Sequence, residues 1–157
     1  MTEMSDHQKA MVPIDRYIKS SAKNEQREAK LQRSFCEWLG MQYPNVYFTS
    51  DASSLGAGWS TIRNIKATKS RHAHLDLHIL YPAKEYHFLV LEFKKESPYL
   101  QSGLLSTEKH IQEQLKTMEL LRQCGAKCEW VWSLDRAINI TTDYLGQPKQ
   151  DNTPLFP

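Results

Sequence analysis

The fold of this chain is decided by residues 72–80, HAHLDLHIL, and residues 86–94, YHFLVLEFK. In each run apolar side chains recur at every second position, a pattern typical of β-strands that turn one face toward a core. The five residues between the runs, 81–85 (YPAKE), have the length and composition of a hairpin connection. The sequence therefore predicts two neighbouring antiparallel strands.

Helices and further strands are predicted on both sides of this hairpin. Apolar residues recur every three or four positions in three segments, which indicates amphipathic helices, and Ser106 and Gly125 fit the N-cap and the end of the second. The predicted elements are a helix over 24–39, a short strand over 46–49, a loop over 50–60, a helix over 106–124, a strand over 127–132 and a helix over 134–145. This order predicts an α/β protein with a mixed central sheet flanked by helices.

Length and composition indicate one globular domain. With 157 residues, 40% of them hydrophobic, the chain can bury a core without disulfides. We expect a flexible N-terminal arm over residues 1–23, the domain over 24–145 and a C-terminal tail over 146–157. The three cysteines have no framework spacing and no leader precedes them, which favours the cytoplasm, that of a host cell if the protein is viral. No apolar run is long enough to cross a membrane, and a net charge of +2 by itself predicts no partner.

Charged side chains occupy one face of each strand of the hairpin. On 86–94, alternation places Glu92 and Lys94 on the same side, near the end of the strand. On 72–80, it places Asp76 on the side opposite to the apolar residues, together with three histidines. The apolar face is expected to hold Leu75, Leu77 and Ile79, and the polar face His72, His74, Asp76 and His78. Because an unpaired buried charge costs several kcal/mol, such residues are typical of a functional site.

Two helices are predicted to add polar groups to the same region. On the first helix, Glu28 and Gln32 fall on the arc shared by Leu31 and Phe35, so they are expected to point inward. On the second, Gln114 lies among apolar residues and its amide is predicted to face the sheet. A satisfied buried amide and a solvated helix glutamate are the simpler interpretations of Gln114 and Glu28.

Two carboxylates on adjacent strands can hold a hard divalent cation such as Mg²⁺, which prefers oxygen ligands and is often completed by water and substrate phosphate. Such an ion polarises a phosphodiester and lowers the pKa of a bound water. Lys94 beside Asp76 and Glu92 can orient that water or stabilise negative charge in the transition state. The residue types therefore predict phosphodiester hydrolysis.

Asp76, followed after fifteen residues by Glu92-Phe93-Lys94, resembles the D…(D/E)xK signature of the PD-(D/E)xK nuclease superfamily. Further stretches resemble its VRR-NUC branch, and the likeness covers roughly residues 25–145. They are EAKLQ at 28–32, WL at 38–39, YP at 43–44, SD at 50–51, HIQEQ at 110–114, LLR at 120–122 and DRA at 135–137. The family's small residue and proline before the aspartate are replaced here by Ala73 and Leu75.

The resemblance implies a restriction-endonuclease-like core and a DNA endonuclease that depends on Mg²⁺ or Mn²⁺, often acting on branched or flapped DNA. It implies that Asp76 and Glu92 are metal ligands, Lys94 the catalytic lysine, Glu28 an accessory acid and Gln114 the glutamine of the nuclease motif. A two-fold homodimer is expected, because cutting both strands commonly uses a pair of active centres.

Basic residues lead into the strand that carries Asp76 and are predicted to contact DNA phosphates, although a solvated loop would have the same composition. They are Arg63, Lys66, Lys69 and Arg71, with Lys95 from the next strand. Trp59 is a candidate for stacking on an unpaired base.

Three other interpretations remain at this point. Asp76, Glu92 and Lys94 fit an exposed sheet face with a cross-strand ion pair. The departures before Asp76 fit a non-catalytic DNA-binding or assembly module that keeps a nuclease-like fold. Finally, His72, His74 and His78 fit a zinc-binding protein.

Overall fold

The computed structural model describes residues 14–51 and 59–148 of the chain. Its centre is a four-stranded sheet in the order β1-β2-β3-β4. The strands are β1 (Phe48–Ser50), β2 (Leu77–Ile79), β3 (Phe88–Phe93) and β4 (Ala126–Val131). β1 and β3 both pair antiparallel with β2, whereas β3 and β4 run parallel. The predicted antiparallel hairpin and the mixed central sheet are confirmed.

Within the described residues four helices accompany the sheet, one more than the sequence predicts. They are α1 (Ile14–Gln42), α2 (Trp59–Ala67), α3 (Lys109–Gln123) and α4 (Leu134–Leu145), and the last has the bounds predicted for it. α2 was not predicted, and residues 59 and 60, assigned to a loop, lie within it. Its segment follows a run rich in Gly and Ser and has only nine residues, too few for a strong periodic signal.

α1 begins ten residues before the predicted start at residue 24. Residues 14–23, assigned to a flexible arm, therefore continue the helix instead. Residues 1–13 of that arm and residues 149–157 of the predicted tail lie outside the described residues. The polar composition that suggested an arm is equally compatible with a helix that extends past the core, since helix interiors tolerate Lys, Arg, Gln and Glu well.

β2 is much shorter than the strand predicted over residues 72–80. Asp76 directly precedes the strand, and the alternation of faces does not extend back to Leu75. Leu75 packs with Val90 on one side of the sheet, whereas Leu77 and Ile79 pack on the other. The prediction that Leu75 shares a face with Leu77 and Ile79 is wrong, because strict alternation holds only inside the hydrogen-bonded ladder.

The sheet separates two buried clusters. On one side, helices α1 and α4 contribute Phe35, Leu39, Ala137 and Tyr144, which pack against Leu77, Leu91 and Phe93. On the other side, α3 contributes Ile111 and Met118 against Val90, Cys128 and Trp130. Both faces of β3 are therefore covered, and a charged side chain on this strand must point either into the core or into a site at its end.

The ends of α3 follow the sequence only in part. The N-cap is Glu108, whose side chain makes no capping bond, and not Ser106 as predicted. The Ser106 carbonyl instead accepts a hydrogen bond of 2.7 Å from Gln112 Nε2. Gly125 follows the C-cap with φ +85°, and a Cβ there would lie 2.1 Å from Cδ2 of His87, so the predicted glycine stop is confirmed and other residues would clash.

No helix within residues 14–51 and 59–148 has the length and apolar character needed to span a membrane.

Candidate active site

Asp76 and Glu92 meet where the chain enters β2 and leaves β3. The backbone N–H of Asp76 donates to Glu92 Oε2 at 3.2 Å, and Asp76 Oδ2 accepts from the backbone N–H of Phe93 at 2.8 Å. Each acidic side chain is thus anchored by the backbone of the other strand. Both contacts lie at the end of the hydrogen-bonded ladder between β2 and β3. There the backbone N–H groups of Asp76 and Phe93 donate to carboxylates and not to a neighbouring strand. The two predicted metal ligands are brought together.

Lys94, the residue that follows β3, completes this cluster. Its Nζ donates to Glu92 Oε1 at 2.8 Å and lies 5.7 Å from the ring centroid of Trp130. Only 2% of Glu92 and 9% of Lys94 is exposed. An exposed sheet face with a solvated ion pair is therefore the wrong interpretation of these residues.

Helix α1 reaches the site through two side chains one turn apart. Glu28 Oε1 accepts a hydrogen bond from the backbone N–H of Lys95 at 3.1 Å, which places this acid beside the end of β3. Gln32 Nε2 donates to the backbone carbonyl of Asp76 at 3.3 Å. Their common arc on the helix was predicted; that Gln32 holds the backbone of Asp76 was not, because the bond joins residues far apart in the chain.

Gln114 approaches from α3 on the other side of the sheet. Its Nε2 donates to Glu92 Oε1, the same oxygen that accepts from Lys94. Its Oε1 is buried and has no hydrogen-bond partner among the described residues. Gln114 therefore points into the site as predicted and brings an acceptor whose hydrogen bond is still unmade.

Burial controls the protonation of the two acids. Desolvation, followed by the negative charge of Asp76, raises the pKa of Glu92 to about 8 in spite of its bond to Lys94. Desolvation also raises the pKa of Asp76, while the Phe93 N–H and Lys94 oppose this and Glu28 adds to it. At neutral pH the metal-free site therefore retains a proton on Glu92.

The donors fit a hard divalent cation. Asp76 and Glu92 offer oxygen ligands whose mutual repulsion a cation would relieve, and Gln114 Oε1 is an unused acceptor for a nearby water. Within the described ranges, no group of three or more His, Cys, Asp and Glu side chains is placed to hold a metal ion. A cation here would need further ligands from water, backbone or substrate, as is usual for Mg²⁺.

The zinc interpretation finds no support among the described residues, since the histidines form no group that could hold a metal ion. His74 Nε2 lies 3.2 Å from the Ser70 carbonyl and His72 Nδ1 lies 3.4 Å from Ser70 Oγ, both ahead of β2. His78 is inside the strand and half-buried, where desolvation lowers its pKa. The strand that was expected to align the three side chains begins only at Leu77, after His72 and His74.

The predicted DNA-contacting residues divide into two groups. Arg63, Lys66 and Arg71 are exposed, on α2 or shortly after it. By contrast, Lys69 Nζ is paired with Asp51, and Lys95 Nζ lies 3.2 Å from Glu96 Oε1. The charges of Lys69 and Lys95 are therefore partly compensated inside the protein. The side chain of Trp59 lies outside the described residues.

A cavity of about 500 Å³ adjoins the site, and sequence reasoning did not foresee it. Glu28, Lys94 and Lys95 line it on one side, and Tyr99, Leu100 and His110 are among the residues on the other. Its walls come from α1, the residues that follow β3, the segment before α3 and the first turn of α3. Only the three-dimensional arrangement of these segments reveals the cavity, since no local sequence signal marks it.

These features stand on the geometry of this chain alone. Comparison of the chain with protein-family models, with curated proteins and with solved structures finds no match. The resemblance to the VRR-NUC branch accordingly stays a prediction carried by the motif residues.

Proposed function

We propose that this protein is a Mg²⁺- or Mn²⁺-dependent DNA endonuclease with a restriction-endonuclease-like core of the VRR-NUC type. The observation that carries the proposal is the buried cluster of Asp76, Glu92 and Lys94. Hydrogen bonds of 2.8–3.2 Å link Glu92 to Lys94, Glu92 to the backbone of Asp76, and Asp76 to the backbone of Phe93. Burying two carboxylates together raises the pKa of both and costs folding free energy. A functional role for the cluster explains why such a costly arrangement is present.

Each residue has a role in phosphodiester hydrolysis. Asp76 and Glu92 would bind the cation, and Glu28 adds a third acid at the edge of the site. When bound, the cation polarises the phosphodiester and lowers the pKa of a bound water. Lys94 is placed to orient the attacking water and to stabilise the negative charge that develops on the phosphate. A new bond forms between the water oxygen and phosphorus as the water releases one proton to solvent. The bond to the leaving sugar oxygen breaks, and that oxygen takes up a proton from solvent.

Gln32 and Gln114 act as positioning residues in this proposal. The Asp76 carbonyl accepts from Gln32 and also from the backbone N–H of Asp51 at 2.9 Å, so the segment entering β2 is held from both sides. Gln114 fixes the carboxylate of Glu92 from α3. Since misplacing a ligand by about 1 Å can cost two orders of magnitude in rate, such anchoring supports catalysis.

DNA would be held by the exposed basic residues Arg63, Lys66 and Arg71. They lie on α2 and on the segment that leads from α2 to Asp76, so phosphates they contact would lie close to the cluster. Lys69 and Lys95 contribute less in this proposal, because acidic neighbours already compensate them.

The test is a cleavage assay with the full chain. Linear, single-stranded, flapped and branched DNA are each incubated with Mg²⁺, with Mn²⁺ or with a chelator. We expect cleavage of at least one DNA with either metal and none with the chelator, because the two carboxylates alone cannot activate water at neutral pH. DNA binding without cleavage under any condition would contradict the proposal and would favour the non-catalytic DNA-binding module.

A further inference from the structure

Residues 97–106, here called the rim hairpin, form one wall of the cavity beside Lys94. The hairpin lies outside the sheet, yet its backbone is closed by several hydrogen bonds. Ser106 donates to the Pro98 carbonyl at 2.9 Å, and Leu100 donates to the Leu104 carbonyl at 2.8 Å. Gly103 closes the tip with φ +81°. The rim hairpin therefore has a defined backbone shape.

This hairpin exposes large apolar side chains next to the candidate active site. The exposed fractions are 42% for Tyr99, 52% for Leu100 and 69% for Leu104. Scattered exposed apolar residues need no explanation, but several on one ordered hairpin at the mouth of a cavity are typical of a binding site. Tyr99 and Leu100 both line the cavity.

The ring of Tyr99 is held in place from behind. It meets Trp132 in an edge-to-face contact, with ring centroids 6.2 Å apart and planes at 68°. The guanidinium of Arg136 lies 4.1 Å from the Trp132 ring centroid, and its Nε donates to the Trp130 carbonyl at 2.8 Å. An edge-to-face contact leaves at least one face of Tyr99 uncovered by Trp132, so a flat ligand can stack there.

The cavity and the candidate active site share Lys94 and Glu28. A group bound in the cavity would therefore lie next to the phosphate that reacts. At about 500 Å³ the cavity lies in the range of about 300–1,000 Å³ found for small-molecule sites. The lining has three carboxylates and two lysines, so its acidic side chains outnumber its basic ones and disfavour a second phosphate inside. The carboxylates are those of Glu28, Glu96 and Glu108. The uncharged part of a nucleotide fits better.

We propose that the cavity binds one unpaired nucleobase of the DNA strand being cut, stacked on Tyr99. The inference rests on the proposed nuclease function and names the substrate feature that the site selects. A base inside a duplex is stacked between its neighbours and paired, so it cannot also occupy the cavity. The enzyme would therefore prefer a scissile phosphate that is flanked by an unpaired nucleotide.

The test uses two DNA duplexes of the same sequence, one fully paired and one with a single unpaired 2-aminopurine. Binding is measured with Ca²⁺ in place of Mg²⁺, so that no cleavage is required, and 2-aminopurine fluorescence reports stacking. We expect the Tyr99→Ala variant to bind the unpaired duplex about 5- to 100-fold more weakly and to lose the fluorescence quenching, because one base–aromatic stack is removed. Its affinity for the fully paired duplex should change less than about twofold.

Two control variants separate stacking from other effects. Tyr99→Phe keeps the ring and should bind like the wild type, and Tyr47→Ala removes an exposed tyrosine at the start of β1, away from the cavity. Equal losses on both duplexes, or no loss in Tyr99→Ala, would overturn the stacking proposal. Cleavage of either duplex by the wild-type protein with Mg²⁺ is scored separately. Cleavage with no effect of Tyr99 refutes stacking alone. Tyr99-dependent binding, with no cleavage of these duplexes or of linear, single-stranded, flapped or branched DNA, refutes the nuclease function alone.

Discussion

Replacing Lys94 with alanine is expected to reduce metal-dependent DNA cleavage by about 10²–10⁴-fold while the protein stays folded. Losing one group that stabilises transition-state charge typically costs about 10²–10³ in rate, and losing the orientation of the attacking water adds to this. Lys94 is the cationic side chain bonded to the buried carboxylate of Glu92, and this side chain is only 11% exposed. Arg63, Lys66 and Arg71 are exposed and are not members of this buried cluster, so they do not take its place.

The fold should survive this substitution because Glu92 does not have to remain charged. Removing one partner of a buried ion pair is usually costly, since the other charge is left unpaired. Here burial and Asp76 already raise the pKa of Glu92 to about 8, so the acid takes up a proton at neutral pH instead. Circular dichroism and thermal melting should therefore resemble those of the wild type at pH 7.

The matched control is Lys116→Ala, which removes an exposed lysine from α3. We expect it to cleave DNA at the wild-type rate. Cleavage by Lys94→Ala within about tenfold of the wild type would show that this lysine has no part in the chemistry. If Lys94→Ala loses both cleavage and the folded state, Lys94→Met is measured in its place, because it retains the apolar stem. A folded Lys94→Met that does not cleave DNA shows that the ammonium acts in the chemistry and not in folding.

Glu92→Gln is expected to abolish cleavage and, in the absence of metal, to stabilise the protein at alkaline pH. The pKa of Glu92 is raised from 4.5 to about 8 in the folded protein. Between these two values the folded protein binds a proton that the unfolded chain releases, so the contribution of Glu92 to stability falls as pH rises. Glutamine resembles the neutral acid in shape and removes this dependence. The raised pKa of Asp76 also lowers stability as pH rises, and it does so in both the wild type and Glu92→Gln.

The measurement is the melting temperature of the wild type and of Glu92→Gln in chelator from pH 5 to pH 9. The two proteins should have similar values at pH 5, and the variant should melt about 4 °C or more above the wild type at pH 9. Glu129→Gln, a half-buried glutamate on β4, serves as the control. Parallel pH curves would show that Glu92 is ionised in the folded protein, and retained cleavage would show that the carboxylate is not a metal ligand.

The hairpin and its charged residues could be predicted from sequence because their signals are local. Alternation along 86–94 placed Glu92 and Lys94 on one side, and a short connection required the strand carrying Asp76 to pair beside them. The helical arc likewise placed Glu28 and Gln32 toward the interior. The period of a helix or strand is enough to predict where a side chain points whenever its direction depends only on its own helix or strand.

The remaining features depend on contacts between segments far apart in the chain. The length of β2 is set by where its neighbouring strands stop pairing with it. The alternating sequence pattern continues past that point to Leu75, so the pattern alone predicts too long a strand. The pairing of Lys69 with Asp51 and the edge-to-face contact of Tyr99 with Trp132 join distant residues that carry no shared local signal. Such contacts decide which basic and aromatic residues remain available to a ligand.

The most direct test of the metal site is a calorimetric titration of the metal-free protein with Mn²⁺ at pH 7, repeated in two buffers of different ionisation enthalpy. Glu92, with its pKa of about 8, must lose its proton to bind a cation. We therefore expect saturable binding accompanied by release of close to one proton, lost in Asp76→Asn and retained in Asp143→Asn, which alters an exposed acid on α4. Absence of saturable binding in the wild type, or unchanged binding in Asp76→Asn, would contradict a cation held by Asp76 and Glu92.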